Sequence, residues 1–178
     1  MSRAKLTEPV TEPVAEPVAE RVTHTVGRVE LWYTSVSVDR PVIAGPEVAA
    51  DLFRKYIGRN MEMREEFWAI AVNNRNRYAG HTLVGAGSIH GTVACPRYIA
   101  QFAMLTNAAA VIVGHNHPSG HTSPSPSDTR LTETLRDGLA LLDVVLLDSL
   151  VLTASDYFSM EQGGAVPFNH RRMNWATG

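Results

Sequence analysis

The 178-residue sequence predicts an α/β fold, a mixed β-sheet flanked by helices in one sandwich domain. Segments with apolar residues at helical spacing alternate with short, nearly continuous apolar runs, the pattern of helices laid over a buried sheet. Two of those runs are separated only by Asn73-Asn74-Arg75-Asn76, which reads as an antiparallel hairpin within the alternating order. The length fits one ordinary domain, and 44% apolar with 19% charged residues is a globular composition.

Residues 7–22 repeat a four-residue unit, Thr-Glu-Pro-Val twice, then Ala-Glu-Pro-Val and Ala-Glu-Arg-Val. Pro9, Pro13 and Pro17 forbid a continuous helix, and the unit has too little apolar surface to offset ordering. Residues 1–25 are therefore expected to be a disordered, polyproline-like tail, with the folded domain over 26–163 and a C-terminal extension over 164–178. A short strand is expected around residues 29–38. Pro46 opens a helix at its favoured first position, with Val48, Leu52, Phe53, Tyr56 and Ile57 at helical spacing and Gly58 as the stop. Glu66–Val72 reads as a buried strand, and its hairpin partner runs from residue 77 to about 89. Pro96 starts a helix reaching about Asn107, and residues 108–114 form another buried strand. Ser125 or Ser127 caps a helix ending near Leu142, with Leu131, Leu135, Leu139 and Leu142 on one face. Residues 143–152 are the last clear strand, and 157–161 add a short element.

Several function classes fall away on composition. The most apolar window, residues 103–114, is interrupted by Thr106 and Asn107 and stays short of the ~18 residues a membrane-spanning helix needs, so no membrane role is expected. Sixteen Lys+Arg against 18 Asp+Glu leave no basic surplus for sequence-blind phosphate binding. Nucleic acid is a weakly supported partner, resting on a local face from Arg54, Arg59, Arg64, Arg75 and Arg77. The single cysteine, Cys95, cannot form an internal disulfide, and the first residues lead into Thr, Glu and Pro rather than an apolar signal core, so a cytoplasmic setting is expected. Gly85-Ala86-Gly87 lacks the third glycine of a dinucleotide fingerprint, and neither Lys5 nor Lys55 lies in a phosphate loop. One cysteine cannot supply the Cys-x-x-Cys of a zinc deaminase. The Glu-Pro-Val tail offers polyproline geometry to a partner domain.

The chemistry concentrates after the third buried run. His115 and His117 stand two residues apart, and extended backbone sends side chains at that spacing to one face. Asp128 follows His117 by eleven residues at the start of the next helix, and a loop containing Pro118, Gly120, Pro124 and Pro126 can bring it back. Two histidines and one carboxylate are a ligand set for Zn2+ that keeps the fourth position for water, as catalytic rather than structural sites do. Such a water is a usable nucleophile near neutral pH. Glu65 or Glu66, at the mouth of a buried strand, is the candidate general base. His121 is disfavoured as a fourth ligand, since Pro118 and Gly120 oppose the turn that would align it and a closed site would forfeit the water. Cys95 is expected to be a small buried filler rather than a nucleophile.

These residues resemble the JAB/MPN (JAMM) zinc metalloenzymes and, among them, the RadC-like proteins of bacteria. The JAMM signature is a Glu, then His-x-His-Pro, with seven residues between the second His and a Ser and two more before an Asp. It is matched by His115-Asn116-His117-Pro118, Ser125 and Asp128. The likeness covers roughly residues 47–161, through Glu65-x-Phe67, Asn76-Arg77, Gly87-Ser88, Pro96-Arg97, Ala108-Ala109-Ala110, Thr132 and Leu147-Asp148. It implies a JAB/MPN sandwich of the cytidine deaminase-like kind, with Zn2+ on His115, His117 and Asp128. It also implies Glu65 rather than Glu66 as general base, and Ser125 helping to hold the oxyanion of a tetrahedral intermediate. The implied activity is hydrolysis of a peptide or isopeptide amide bond in a protein or peptide substrate. Three positions depart from the family pattern: its Asp after Pro-Ser-Gly is His121, its His before Pro-Arg is Cys95, and its Asp-His in the last strand is Asp148-Ser149. The helical DNA-binding region of full-length RadC proteins has no counterpart in these residues. That weakens the transfer of a DNA role, and an accessory DNA-repair module with a structural or vestigial metal site is the second reading.

Overall fold

The structure, a computed structural model, describes residues 22–24, 27–29, 40–87, 94–168 and 175. The repeat up to residue 21, most of the strand expected over 29–38, and the hairpin end at Ser88 and Ile89 lie outside the described residues. The chain divides into two units, Met1–Val36 and Ser37–Gly178. In the first, β1 (Val22–His24) and β2 (Gly27–Val29) pair antiparallel, with Val22 opposite Val29.

The second unit carries α1 (Pro46–Ile57), a 3-10 turn (Gly58–Asn60), β3 (Glu66–Val72), β4 (Tyr78–Ala86), α2 (Pro96–Leu105), β5 (Ala110–Asn116), α3 (Pro126–Ala140), β6 (Val145–Leu152) and β7 (Tyr157–Ser159). Its sheet has the order β4-β3-β5-β6-β7, antiparallel throughout except for the parallel pair β5/β6. A parallel pair needs a crossover, and α3 supplies it. This is the mixed sheet with flanking helices that the sequence predicts. The β3–β4 turn forms where asparagines cluster, because Asn73 Oδ1 accepts from the amides of Arg75 (2.9 Å) and Arg77 (3.1 Å) while Asn76 takes φ 53°.

Alternation along the strands sorts the core into two layers. Ile70, Val72, Ala110, Ile112, Leu150 and Leu152 pack on the side of α1, through Ala49, Ala50, Phe53 and Ile57. Phe67, Ala69, Ala71, Val111, Val113 and Leu146 pack on the side of α2 and α3, through Ile99, Ala103, Leu135 and Leu139. Gly114 is required where β5 passes under α1: a Cβ there would lie 2.8 Å from the Phe53 ring and 3.1 Å from Leu152.

Several expected boundaries shift. β5 begins two residues late and ends at Asn116, because Ala108 is spent closing α2: its amide donates to Ala103 O (2.9 Å) after Asn107 at φ 49°. His115 and Asn116 therefore belong to the sheet itself. The buried stripe of α1 is Ala49, Ala50, Phe53 and Ile57, while Val48, Leu52 and Tyr56 flank it half-buried. α3 ends at Ala140, so Leu142 lies past the helix and is 40% exposed, and Leu131 is only half-buried.

Candidate metal centre

The C-terminal end of β5 and the N-terminus of α3 meet on the α2/α3 side of the sheet. His115 is buried at 1% exposure in β5, and the His117 amide extends the β5/β6 pairing by donating to Leu152 O (2.9 Å). Extended backbone keeps the two imidazoles on one face, and His115 stacks on Phe67 with ring centroids 5.6 Å apart. Asp128 arrives by helix capping. Ser125 is the N-cap and Pro126 the first residue of α3; the Ser125 amide donates to Asp128 Oδ2 (2.7 Å) and the Asp128 amide to Ser125 Oγ (3.2 Å).

Three side chains converge. His115 Nε2 and His117 Nε2 are 3.1 Å apart, His115 Nε2 is 3.5 Å from Asp128 Oδ1, and His117 Nε2 is 3.7 Å from Asp128 Oδ2. Tetrahedral zinc with bonds of about 2.0–2.1 Å requires ligand separations of about 3.3 Å, near the His115–His117 and His115–Asp128 Oδ1 distances, and one donor atom from each of the three side chains lies within 4.8 Å of the others. The protonation pattern fits too. His117 Nδ1 is 2.8 Å from His121 O, and a carbonyl only accepts, so Nδ1 carries the proton and Nε2 presents its lone pair. The 3.1 Å Nε2–Nε2 contact then requires either a proton on His115 Nε2 or a cation between the rings. Burial alone would raise the Asp128 carboxyl, but the hydrogen bond and charge of His115 and the groups of Ser125 hold it well below the usual carboxylate range. The centre is thus an anionic oxygen and two imidazoles, a set that suits zinc. Among the described residues these three are the group able to hold a metal ion, and the His121 ring is not in it.

The two candidate bases are separated by register. Phe67 pairs with His115 in the antiparallel β3/β5 ladder, so Glu65 falls at the position opposite His117. The Gly87 amide donates to Glu65 O (2.8 Å), continuing the sheet to that residue, and alternation carries Glu65 to the face of Phe67 and His115. Glu66 turns the other way and is 2% exposed. Its Oε1 accepts from Asn60 Nδ2 (2.8 Å) and Arg64 Nε (2.8 Å), and its Oε2 from Trp68 Nε1 (3.0 Å). Ser125 sits beside Asp128, with its hydroxyl 2.8 Å from Ser127 Oγ.

The departures from the family pattern find distinct places. His121 is exposed and contributes its carbonyl to His117. Cys95 is not the buried filler expected; it is half-exposed as the N-cap of α2, ahead of the helix rather than beneath it. Ser149 is buried on the α3 side, 3.0 Å from the donating hydroxyl of Thr132, one helical turn beyond Asp128. Asp148 is fully buried and accepts from the Ser149 amide (2.7 Å), Ser159 Oγ (2.6 Å) and the Glu161 amide (3.0 Å); burial pushes its carboxyl up to about 6 against those donors. Of the arginines proposed as a basic face, Arg54 binds Asp51 and Thr153 O, Arg64 binds Glu66, and Arg77 donates to Arg40 O. Sequence reasoning passed over the roles of Asn116, whose partners lie 50 to 55 residues away, and of Glu66, whose carboxylate is held by its near neighbours Asn60, Arg64 and Trp68.

Residues 43–165 match the RadC-like JAB domain family. The chain belongs to the RadC-like JAB-domain family. A UPF0758 protein of Burkholderia mallei (strain SAVP1) is 42% identical over 126 residues, covering 71% of this chain and 45% of that protein. Similar relatives are UPF0758 proteins of Burkholderia thailandensis (41%, 47% of its length) and Burkholderia cenocepacia (42%, 48% of its length). This RadC-like chain thus spans just under half the length of the curated relatives it matches. No helix among its described residues is long and apolar enough to cross a membrane.

Proposed function

We propose that this RadC-like chain is a zinc-dependent hydrolase of the JAMM type that cleaves a peptide or isopeptide amide bond. The observation that carries the reading is the convergence of His115 Nε2, His117 Nε2 and Asp128 at 3.1–3.7 Å, with the His117 lone pair aimed inward by its bond to His121 O. His115, His117 and Asp128 would hold the ion, which when bound supplies a Lewis acid and a water acidic enough to react near neutral pH. Glu65, at the register position opposite His117, takes a proton from the attacking water and returns it to the leaving amine. Ser125, fixed by its cap to Asp128 with its hydroxyl beside the exposed Ser127, donates its hydroxyl hydrogen to the developing oxyanion. Phe67, stacked on His115, keeps the imidazole from rotating.

The test incubates zinc-loaded protein with a proteome-derived peptide mixture and counts new termini by mass spectrometry. Cleavage is expected to need zinc and to fall by ~10²-fold or more in Glu65→Gln with zinc content unchanged. Equal cleavage by Glu65→Gln would remove the mechanism.

A further inference from the structure

We propose that Asn116 is a positioning residue, its buried carboxamide clamping the peptide on both sides of Glu65 to the strand that carries His115 and His117. This rests on the reading of Glu65 as the base.

Asn116 has 0% exposure and sits between the two histidines at the end of β5. Its Oδ1 accepts from the Glu66 amide (2.8 Å), immediately after Glu65. Its Nδ2 donates to Arg64 O (2.8 Å), immediately before Glu65, and to Met61 O (2.8 Å), with Asn60 O at 3.5 Å. The β3/β5 ladder ends at Phe67 and His115, so this side chain takes over where the regular backbone pairing stops. A second tether, the Gly87 amide on the Glu65 carbonyl (2.8 Å), ties Glu65 to the chain beyond β4 rather than to the strand of the histidines.

The residue type follows from this geometry. One acceptor and two donors on one short stem are what a carboxamide provides; a carboxylate would turn acceptors toward Met61 O and Arg64 O, and a hydroxyl has one hydrogen. The clamp makes the metal strand and the Glu65 segment one rigid body, and a base displaced by about 1 Å loses on the order of 10²-fold in rate.

Asn116→Ala tests the proposal by amide hydrogen exchange in zinc-loaded protein. The Gly87 amide touches Glu65 O and not Asn116, whereas the Ala109 amide bonds Val72 O at the far end of β3. Gly87 protection is expected to fall at least ~10-fold more than Ala109 protection, and the zinc dissociation constant to stay within about threefold. A uniform loss along β3 marks a mere core filler and overturns the proposal.

Activity on a peptide cleaved in the mixture above gives the second arm. Asn116→Ala is expected to lower kcat by ~10²-fold at nearly constant KM. In the Glu65→Gln background the same change should cost nothing more; additive losses overturn the proposal. If Gly87 loosens but Glu65→Gln keeps full activity, the reading of Glu65 has failed and takes the proposal with it. An unchanged Gly87 with an inactive Glu65→Gln overturns the role of Asn116 alone. Should Asn116→Ala not fold, the wild-type carboxamide decides: both Nδ2 protons must exchange at least ~10-fold more slowly than a free carboxamide, and free exchange refutes the clamp.

Discussion

Glu66→Gln and Glu65→Gln are adjacent, isosteric changes with opposite expected consequences. Glu66 is 2% exposed, with both carboxylate oxygens receiving donors: Asn60 and Arg64 on Oε1, Trp68 Nε1 on Oε2. A glutamine has one acceptor and one amino group, so in either orientation its amino group faces a donor. Leaving that donor without an acceptor costs about 1–3 kcal/mol. The ion pair to Arg64 (2.7 Å) is also lost, but Arg64 is 49% exposed and water screens it, so that contribution is at most about 1 kcal/mol. The sum is a loss of roughly 1–4 kcal/mol in unfolding free energy, read by urea titration near pH 7 with zinc content measured on the same samples. Glu65→Gln, at the edge of the centre, is expected to stay within about 1 kcal/mol of wild type while losing hydrolysis. Wild-type stability in Glu66→Gln refutes the network. Wild-type stability with lost hydrolysis in Glu66→Gln, beside an active Glu65→Gln, would make Glu66 the base and displace the register argument.

Two further changes follow from the same contacts. In metal-free protein, Asp128→Ala should cost about 0.5–2 kcal/mol by removing half of the α3 capping box, whereas Asp128→Asn, whose amide oxygen still accepts from Ser125 N, should cost less; equal losses by thermal melting exclude a capping role. Asp148 sets a pH dependence: its carboxyl is pushed up to about 6 in the folded protein against 3.8 unperturbed, so between those values the folded state holds the extra proton and stability falls as pH rises. Asp148→Asn should therefore gain on wild type by about 3 kcal/mol between pH 3.8 and pH 7, most of it below about pH 6; a constant difference in metal-free urea titrations contradicts the shift.

What was legible in the sequence was local. Helices opening at Pro46, Pro96 and Pro126, the asparagine-rich turn after Val72, and the His-x-His and Asp128 spacing depend on near neighbours, and each appears in the structure near its expected place. Asn116 was hidden because its partners are 50, 52 and 55 residues away and reach it only through the β3/β5 pairing. The opposite fates of Glu65 and Glu66 depend on the same register: their adjacency puts them on opposite faces, but only Phe67 opposite His115 says which face holds the histidines. Cys95 looked apolar by type, yet its place is set by the helix that starts one residue later.

The metal centre is tested most directly by zinc-edge X-ray absorption with metal analysis on reconstituted protein, wild type beside His115→Ala/His117→Ala. The wild type is expected to hold one zinc per chain on imidazole nitrogen and carboxylate oxygen at about 2.0–2.1 Å, and the double variant none above background with its fold intact. Full zinc occupancy in the double variant, or a wild-type chain that takes up no zinc, would contradict this metal centre.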